Sequence, residues 1–547
     1  MYRLKGLTAC LSAATVGFTW HESDTQARHI ALALQRVSVA SDIGIRVALD
    51  YKWTELRSHR SEQDQIEAKQ QCHQRCADRV LIGLQKLGGI YVKLGQHVSA
   101  MTYILPDEWT RTLSALQDRC EPSLKQDIED MFFQDYGYPM DYVFEEFDWH
   151  PLGVASLAQV HKAKLRHGNR DWVAVKFQHP RLDEFCRIDL QTVSFIIHSI
   201  KRIFPEFGFE WILQEMQESL PQEMNFEREA ANAAQLEQNF AHYPTALVVP
   251  KVIWAKRRIL CMEFIQGARI DDLEFMLKHG IDSSNVSTEI TEIFSKMMFI
   301  DGFVHCDPHP GNILIRPAKD PQSKFNFDLV LLDHGLYRTL PDQLRTDYAH
   351  LWTSLIRGDE EGIRTYALRV GCTDHRLFAS LLTGREWSTI QAADLSSDRT
   401  ETEVSRVTGR AKHFVIRIYD ILETLPRVVL LLLKTSDLLR GLDESLRKSE
   451  DKYMTYALTG KFCAEAVWMD AKANLLERIH TSGWWDCLVW IRHLIRAWWE
   501  YQSLEVGLWA YRFQSNTREK WALIWHRGTM LQNQKKRLEA QKELFIE

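Results

Sequence analysis

No CxxC pair occurs anywhere in this 547-residue chain, although it carries ten cysteines. Scattered single thiols give neither a zinc site nor a disulfide framework, so they read as reduced packing residues. A Walker A sequence is missing as well, which excludes a P-loop nucleotide site. Excess positive charge is also lacking. Lys and Arg total 67 against 73 Asp and Glu, and the resulting net charge of -6 offers nucleic acid no basic field. Long apolar runs are scarce. Val428–Leu433 (VVLLLL) is closed off by Arg427 and Lys434, far short of the roughly 20 residues of a membrane span. It reads as a buried helix turn. There is no internal repeat.

What is present is ordinary globular composition, with 45% hydrophobic and 26% charged residues, enough for about two to four domain-sized pieces. Arg3 and Lys5 precede an uncharged stretch, Gly6 to Trp20, which fits either a processed targeting leader or a short membrane anchor. From about Thr54 to Glu146 the pattern is helical. It then turns β-rich, with Asp171–Gln178 (DWVAVKFQ) and Arg258–Phe264 (RILCMEF) as strands. A long helical stretch lies between them, broken at Pro205 and Pro221. Beyond a hinge near Gly267 the chain is mostly helical, interrupted by a hairpin over Asn312–Leu336. Glu386–Arg410 is polar and reads as a loop. Strands first and helices after predict an α+β, two-lobed, protein-kinase-like fold with a small β-rich N-lobe and a large helical C-lobe. The predicted divisions are a targeting or anchor segment over 1–50, a helical extension over 51–147, an N-lobe over 148–266, a C-lobe over 267–460 and a Trp-rich helical extension over 461–547.

Three segments carry chemistry. In HCDPHPGN (305–312), Asp307 and Asn312 have the spacing at which kinases place a catalytic-loop acid and a Mg²⁺-binding amide. Further on, the apolar run Val330–Leu332 ends in Asp333-His334-Gly335, where a second Mg²⁺-binding carboxylate belongs. In Val173-Ala174-Val175-Lys176 a lone lysine sits among apolar neighbours, and an inward ammonium is costly unless a counter-charge meets it. Glu223, Glu227 and Glu229 on the segment after Pro221 are the candidate partners. Where a kinase carries its Gly-rich phosphate cover, this chain has Pro151-Leu152-Gly153-Val154-Ala155-Ser156, with a single glycine to ease backbone approach to phosphate.

These residues, together with Lys93-Leu94-Gly95-Gln96, resemble the UbiB family of aarF-domain-containing, coenzyme-Q-linked atypical kinases. The resemblance spans about Tyr91 to Leu442, and DHG in place of DFG with KTSDLL (434–439) resembles its aarF-domain-containing kinase 1 branch. It implies a kinase-like core whose Lys-x-Gly-Gln extension covers the peptide side of the cleft, with ATP and Mg²⁺ as cofactors and an atypical kinase or ATPase activity. It implies roles for single residues too. Lys176 is the nucleotide lysine, Glu229 its helix partner and Asp307 the catalytic acid. Asn312 and Asp333 are the Mg²⁺ ligands, and Gly153, Val154, Ala155 and Ser156 the nucleotide loop. Lys93 pairs with Glu223, and Gln96 restricts the pocket. The family's Glu-x-Asp reads Glu223-Met224-Asn225 here, so either the extension is held by one charge fewer or Asn225 hydrogen-bonds instead. His309 stands where protein kinases have a lysine, which argues against a protein substrate. So does the short path from Leu336–Leu340 into Pro341, which leaves little room for an activation segment.

Half of the 18 tryptophans follow residue 467, interleaved with Arg492, Arg496, Arg512 and Lys520. Such a pattern suits a bilayer interface, and equally rings that cap the helical lobe. The resemblance implies a mitochondrial location, associated with the inner membrane, with a quinone or phospholipid as further partner. A nucleotide-gated scaffold that turns nothing over is the competing expectation.

Overall fold

The computed structural model describes residues 25–57, 61–99, 105–116, 122–167, 171–180, 182–204, 210–320, 322–393, 421, 425–446, 452–481 and 490–508. Gly6–Trp20, the polar stretch after residue 393, and Trp484, Trp485, Trp509, Trp521 and Trp525 lie outside them. Among the described residues no helix is long and apolar enough to cross a membrane.

The extension opens with α1 (Thr25–Leu56), which runs through the 50/51 division drawn from the sequence. α2 (Glu62–Leu87) follows, capped by the Ser61 side chain, which accepts the Asp64 N–H. Gly88 and Gly89, both at positive φ, make the turn into α3 (Ile90–Ser99), a conformation side chains resist. α3 carries the Lys-x-Gly-Gln motif, and its glycine has a packing reason. A Cβ at Gly95 would meet Leu116 Cδ1 at 2.2 Å and Leu84 Cδ1 at 2.8 Å. Gly95→Val is therefore expected to cost about 1–3 kcal/mol by overpacking, read as a lower denaturation midpoint.

The small lobe is built on α4 (Lys125–Tyr136) and an antiparallel sheet. Its strands are β1 (Phe144–Phe147), β2 (Gly153–Val154), β3 (Ala158–Leu165) and β4 (Trp172–Gln178), with β6 (Val252–Lys256) and β7 (Ile259–Glu263). The order is β1-β3-β4-β7-β6, with β2 paired to β3. Strand alternation explains β4. Val173, Val175 and Phe177 enter one core with Phe132, Ile259 and Cys261. Ala174 joins the opposite face with Phe226 and Leu260, and Lys176 points that way too. Over this face runs α7 (Phe226–Phe240).

Between β4 and α7 lie α5 (Leu182–Ile203) and α6 (Glu210–Glu223). Arg36 of α1 ties α5 to the extension, donating to Asp189 at 2.6 Å and to the Leu87 carbonyl at 2.7 Å. The sequence predicts a break at Pro221; Pro221 sits in the last turn of α6, and the helix stops at Glu223 before α7 starts at Phe226. The carbonyl it leaves unbonded belongs to exposed Gln217 and can be solvated, while Ile212, Leu213, Met216 and Leu220 are buried. Packing outweighs the lost bond.

In the large lobe β5 (Leu247–Val248) and β8 (Ala268–Arg269) flank the predicted hairpin, β10 (Ile313–Pro317) and β11 (Phe327–Leu331). β9 (Phe303–His305) pairs with β12 (Tyr337–Thr339), His305 opposite Tyr337. The longest helices there are α8 (Ser283–Ser295), α9 (Asp342–Arg357), α10 (Arg427–Leu446) and α11 (Lys452–Thr481). α9 begins three residues after β12, so no long activation segment intervenes. Val429–Leu433 is buried in α10 as expected. Glu386–Arg410, read as loop, begins with a short helix at Trp387–Gln391. A last helix over 490–508 lies on α11 through Lys461–Glu505 (2.8 Å) and the stack of Trp468 on Tyr501. Its Ile495, Trp498, Trp499 and Val506 are exposed. Of the late tryptophans, Trp468 packs on the lobe while Trp498 and Trp499 face out.

Candidate nucleotide site

The two lobes bring the sequence-predicted residues to one cleft. Lys176 Nζ lies 2.8 and 2.9 Å from the Glu229 carboxylate and 3.3 Å from Asp333 Oδ2. Of the three candidate glutamates, Glu229 is the one that meets Lys176; Glu223 is buried too but pairs with Lys93, and Glu227 is exposed. Burial works against the Lys176 charge, and Asp333 and Glu229 overcome it, holding the lysine above its usual range. Asp333 is held correspondingly low by Lys176 and the Gly335 N–H, despite burial. That N–H donates to Asp333 Oδ1 at 2.8 Å, so the Asp-x-Gly turn fixes its own carboxylate.

His334 replaces the phenylalanine of a DFG sequence and is buried. Its Nε2 lies 3.0 Å from the Leu331 carbonyl and its Nδ1 3.0 Å from the Tyr337 hydroxyl. A carbonyl only accepts, so Nε2 carries the proton and Nδ1 accepts from Tyr337. The ring is neutral; burial pushes it down to about 3. A base depressed on folding stabilises the fold fully above its unfolded value and loses that contribution as pH falls. Between pH ~6.5 and ~3 His334 should contribute a slope of about 1.4 kcal/mol per pH unit. His334→Phe should flatten that part of an acid-denaturation curve.

The catalytic-loop segment adds Asp307 and Asn312. The Asn312 amide donates to the Asp307 carbonyl at 3.2 Å, which leaves its oxygen free as a ligand. His305 ties the loop to the Asp-x-Gly turn, 2.8 Å from the Asp333 carbonyl. Lys434 Nζ lies 2.8 Å from Asp307 Oδ1. Burial opposes ionisation of Asp307; Lys434, then His309 and Lys93, overcome it and hold the carboxyl well below the usual range.

The extension reaches the same place. Lys93 Nζ sits 2.7 Å from Glu223 Oε2. Burial opposes its charge, but Glu223, Asp307 and Asp333 hold it above the ordinary lysine range. Gln96 donates to the Leu116 carbonyl at 3.0 Å and accepts from the Ser156 hydroxyl at 3.2 Å. It therefore joins the extension to the Gly153–Ser156 loop. That loop is a tight β2–β3 turn closed by the Ala155 N–H on the Ala158 carbonyl, 2.8 Å. Asn225 does not substitute for the missing acid opposite Lys93. Its side chain caps α7, accepting the Glu227 and Arg228 N–H groups, so Glu223 is the one acid of this segment that pairs with Lys93.

Sequence reasoning missed several neighbours. His179 lies 2.8 Å from the Ala155 carbonyl and 2.7 Å from the Ser123 hydroxyl, pinning the loop from behind. His97, next to Gln96, is buried; burial with Lys434 and Lys93 beside it keeps it neutral, and its Nε2 has no hydrogen-bond partner among the described residues. Lys434 was singled out only as part of a motif. The adjacency of His97 to the Lys-x-Gly-Gln motif was the one available signal; nothing local marks the others.

Asn312 and Asp333 offer hard oxygen donors of the kind Mg²⁺ prefers, and the lysines fit a triphosphate, so the donor set suits Mg–ATP. A second grouping, Asp50, Cys72 and Cys76, also lies close together. Its carboxylate is taken up by Arg75 and Arg79, and burial pushes the Cys76 thiol up to about 12. That favours packing over metal.

A sheet lobe over a helical lobe, with these residues in the cleft between them, is a protein-kinase-like fold. Residues 115–367 match the ABC1 atypical kinase-like domain. The chain is 41% identical over 455 residues to the ABC1 family protein MCP2 homolog of Schizosaccharomyces pombe, covering 82% of each chain. It is 38% identical to ABC1 family protein MCP2 of Saccharomyces cerevisiae, over 90% of this chain and 88% of that one. With AarF domain-containing protein kinase 1 of Gallus gallus it shares 36% identity, over 82% of this chain and 86% of that protein. The chain belongs to the ABC1, or AarF-domain, family of atypical kinases.

Proposed function

We propose that the chain binds Mg–ATP in the cleft and acts as an atypical kinase or ATPase in mitochondrial lipid or coenzyme Q homeostasis. One observation carries the nucleotide part: Lys176 joins buried Glu229 and partly exposed Asp333 in a single ion cluster beside the Asp307–Asn312 loop. In this reading Lys176 grips the α- and β-phosphates, Glu229 orients it, and Gly153, Val154, Ala155 and Ser156 cover the nucleotide. Asn312 and Asp333 hold Mg²⁺, which when bound neutralises charge on the phosphates. Asp307 orients the acceptor, Lys93 and Glu223 hold the extension across the acceptor side, and Gln96 restricts the pocket by fixing Ser156.

Thermal unfolding of the full chain is the direct test. Mg–ATP at ~100 times its dissociation constant should add about 2.7 kcal/mol, and a melting temperature unmoved by any Mg–nucleotide would refute the reading.

The lipid part rests on the family resemblance and on exposed Ile495, Trp498 and Trp499, beside Arg492 and Arg496. A quinone or phospholipid is the implied partner, at the inner membrane. Residues 1–50 fused to a fluorescent protein should enter mitochondria; a cytosolic fusion would remove the targeting role from this segment. One observation favours a second reading, a nucleotide-gated scaffold. The Lys93–Glu223 pair sits between the extension and the Asp-x-Gly turn, where it restrains access of an acceptor.

A further inference from the structure

We propose that Lys434 is the ammonium that holds the transferring phosphoryl group against Asp307, replacing a cation that the catalytic loop itself does not supply; this rests on the Mg–ATP reading above. The local position for such a cation is His309, two residues after Asp307. Its Nδ1 accepts the Gly311 N–H at 3.2 Å, so that nitrogen carries no proton and the ring is committed to closing its own turn. Its Nε2 lies 3.9 Å from Asp307 Oδ2, with the side chain 44% exposed. The loop therefore reaches its acid only with a half-exposed ring 3.9 Å away.

Lys434 arrives from 127 residues downstream and is anchored firmly. Leu430–Leu433 and Thr435 are buried around it, and Thr435 donates to the Leu431 carbonyl, so α10 cannot shift without disrupting the core. The ammonium has three N–H donors, and Asp307 takes one of them among the described residues. The other two are available for oxygens about 3 Å from Nζ, beside the acid that faces the acceptor. Lys176 is already occupied by Glu229 and Asp333, and Lys93 by Glu223. Of the three lysines in this site, Lys434 is the one bonded to Asp307 itself, with donors left over at the reacting end. In the transfer, a bond from the acceptor oxygen to the γ-phosphorus forms as the bond to the bridging oxygen breaks. ADP leaves with that electron pair, and the acceptor proton passes to Asp307 and on to solvent. Lys434 neutralises the equatorial oxygens during this exchange and keeps Asp307 aimed at the acceptor.

The test compares wild type, Lys434→Gln and Lys434→Arg in the full chain, with ATP turnover, fluorescent-nucleotide affinity and melting temperature measured on each. Gln keeps a hydrogen bond to Asp307 without the charge, so it should fold. A lost charge-stabilising donor predicts kcat lowered about 10²-fold in Lys434→Gln, with KM and nucleotide affinity within about threefold of wild type. Lys434→Arg should recover most of the rate. Unchanged kcat in Lys434→Gln would overturn the proposal, as would losses in both variants that merely follow a lowered melting temperature. Wild type that binds no Mg–nucleotide would fail at the earlier reading and take this one with it.

Discussion

Lys176→Met is expected to lower ATP turnover by about 10²–10³-fold and, separately, to destabilise the fold by about 3–5 kcal/mol. The two effects have different origins. Glu229 is 1% exposed in its side chain and has Lys176 as its cationic partner, so removing the ammonium strands a buried carboxylate with the His334 N–H, 3.4 Å away, as a weak remaining donor. Such a group escapes by binding a proton, so the loss should be smaller at low pH than at neutral pH. The double variant Lys176→Met, Glu229→Gln removes the stranded charge and should regain most of the stability. It should regain none of the turnover, because neither side chain can then grip phosphate. Denaturant midpoints and steady-state rates on the three proteins separate these terms. Recovery of turnover in the double variant would show that Lys176 acts only through the fold.

The parts of this site that were legible in the sequence are those encoded locally. Strand alternation alone sends Lys176 to the face opposite Val175 and Phe177. The Asp307–Asn312 spacing and the apolar run into Asp333 place two ligand groups by short-range geometry, because β10 and β11 pair as an antiparallel hairpin between them. What stayed illegible depends on long-range packing. Lys434 follows a leucine run and looks like its polar boundary; only the docking of α10 makes it a neighbour of Asp307. Asn225 looks like a weakened acid until α7 begins there and needs a cap. The start of α1 has no marked local boundary in the sequence, and its anchoring by Arg36 to Asp189 spans 153 residues.

Gly95 and Gln96 show how one short motif serves both packing and site. The glycine lets α3 sit against Leu84 and Leu116, and that close seat sets the depth at which Lys93 and Gln96 enter the cleft. A bulkier residue at 95 would lift both together. Lys93 would then leave Glu223, whose second oxygen already lacks a hydrogen-bond partner among the described residues. The motif's spacing is thus a steric requirement for delivering a charge and an amide from outside the kinase-like core.

Asp307→Asn separates the enzyme from the scaffold. The substitution preserves shape and keeps an oxygen for Lys434, while it removes the charge that faces the acceptor. If the chain transfers or hydrolyses phosphate, turnover should fall by about 10²–10⁴-fold, with Mg–ATP binding intact because Lys176 and Asp333 are untouched. Binding could tighten, since a negative charge beside the triphosphate is gone. A scaffold predicts the opposite cellular outcome: an Asp307→Asn protein that binds nucleotide normally should still complement a strain lacking the protein. Turnover on purified protein and complementation in cells therefore give a two-way result. Full complementation by a variant with unmeasurable turnover would rule out catalysis as the cellular role, whereas loss of both with nucleotide affinity retained requires chemistry at Asp307.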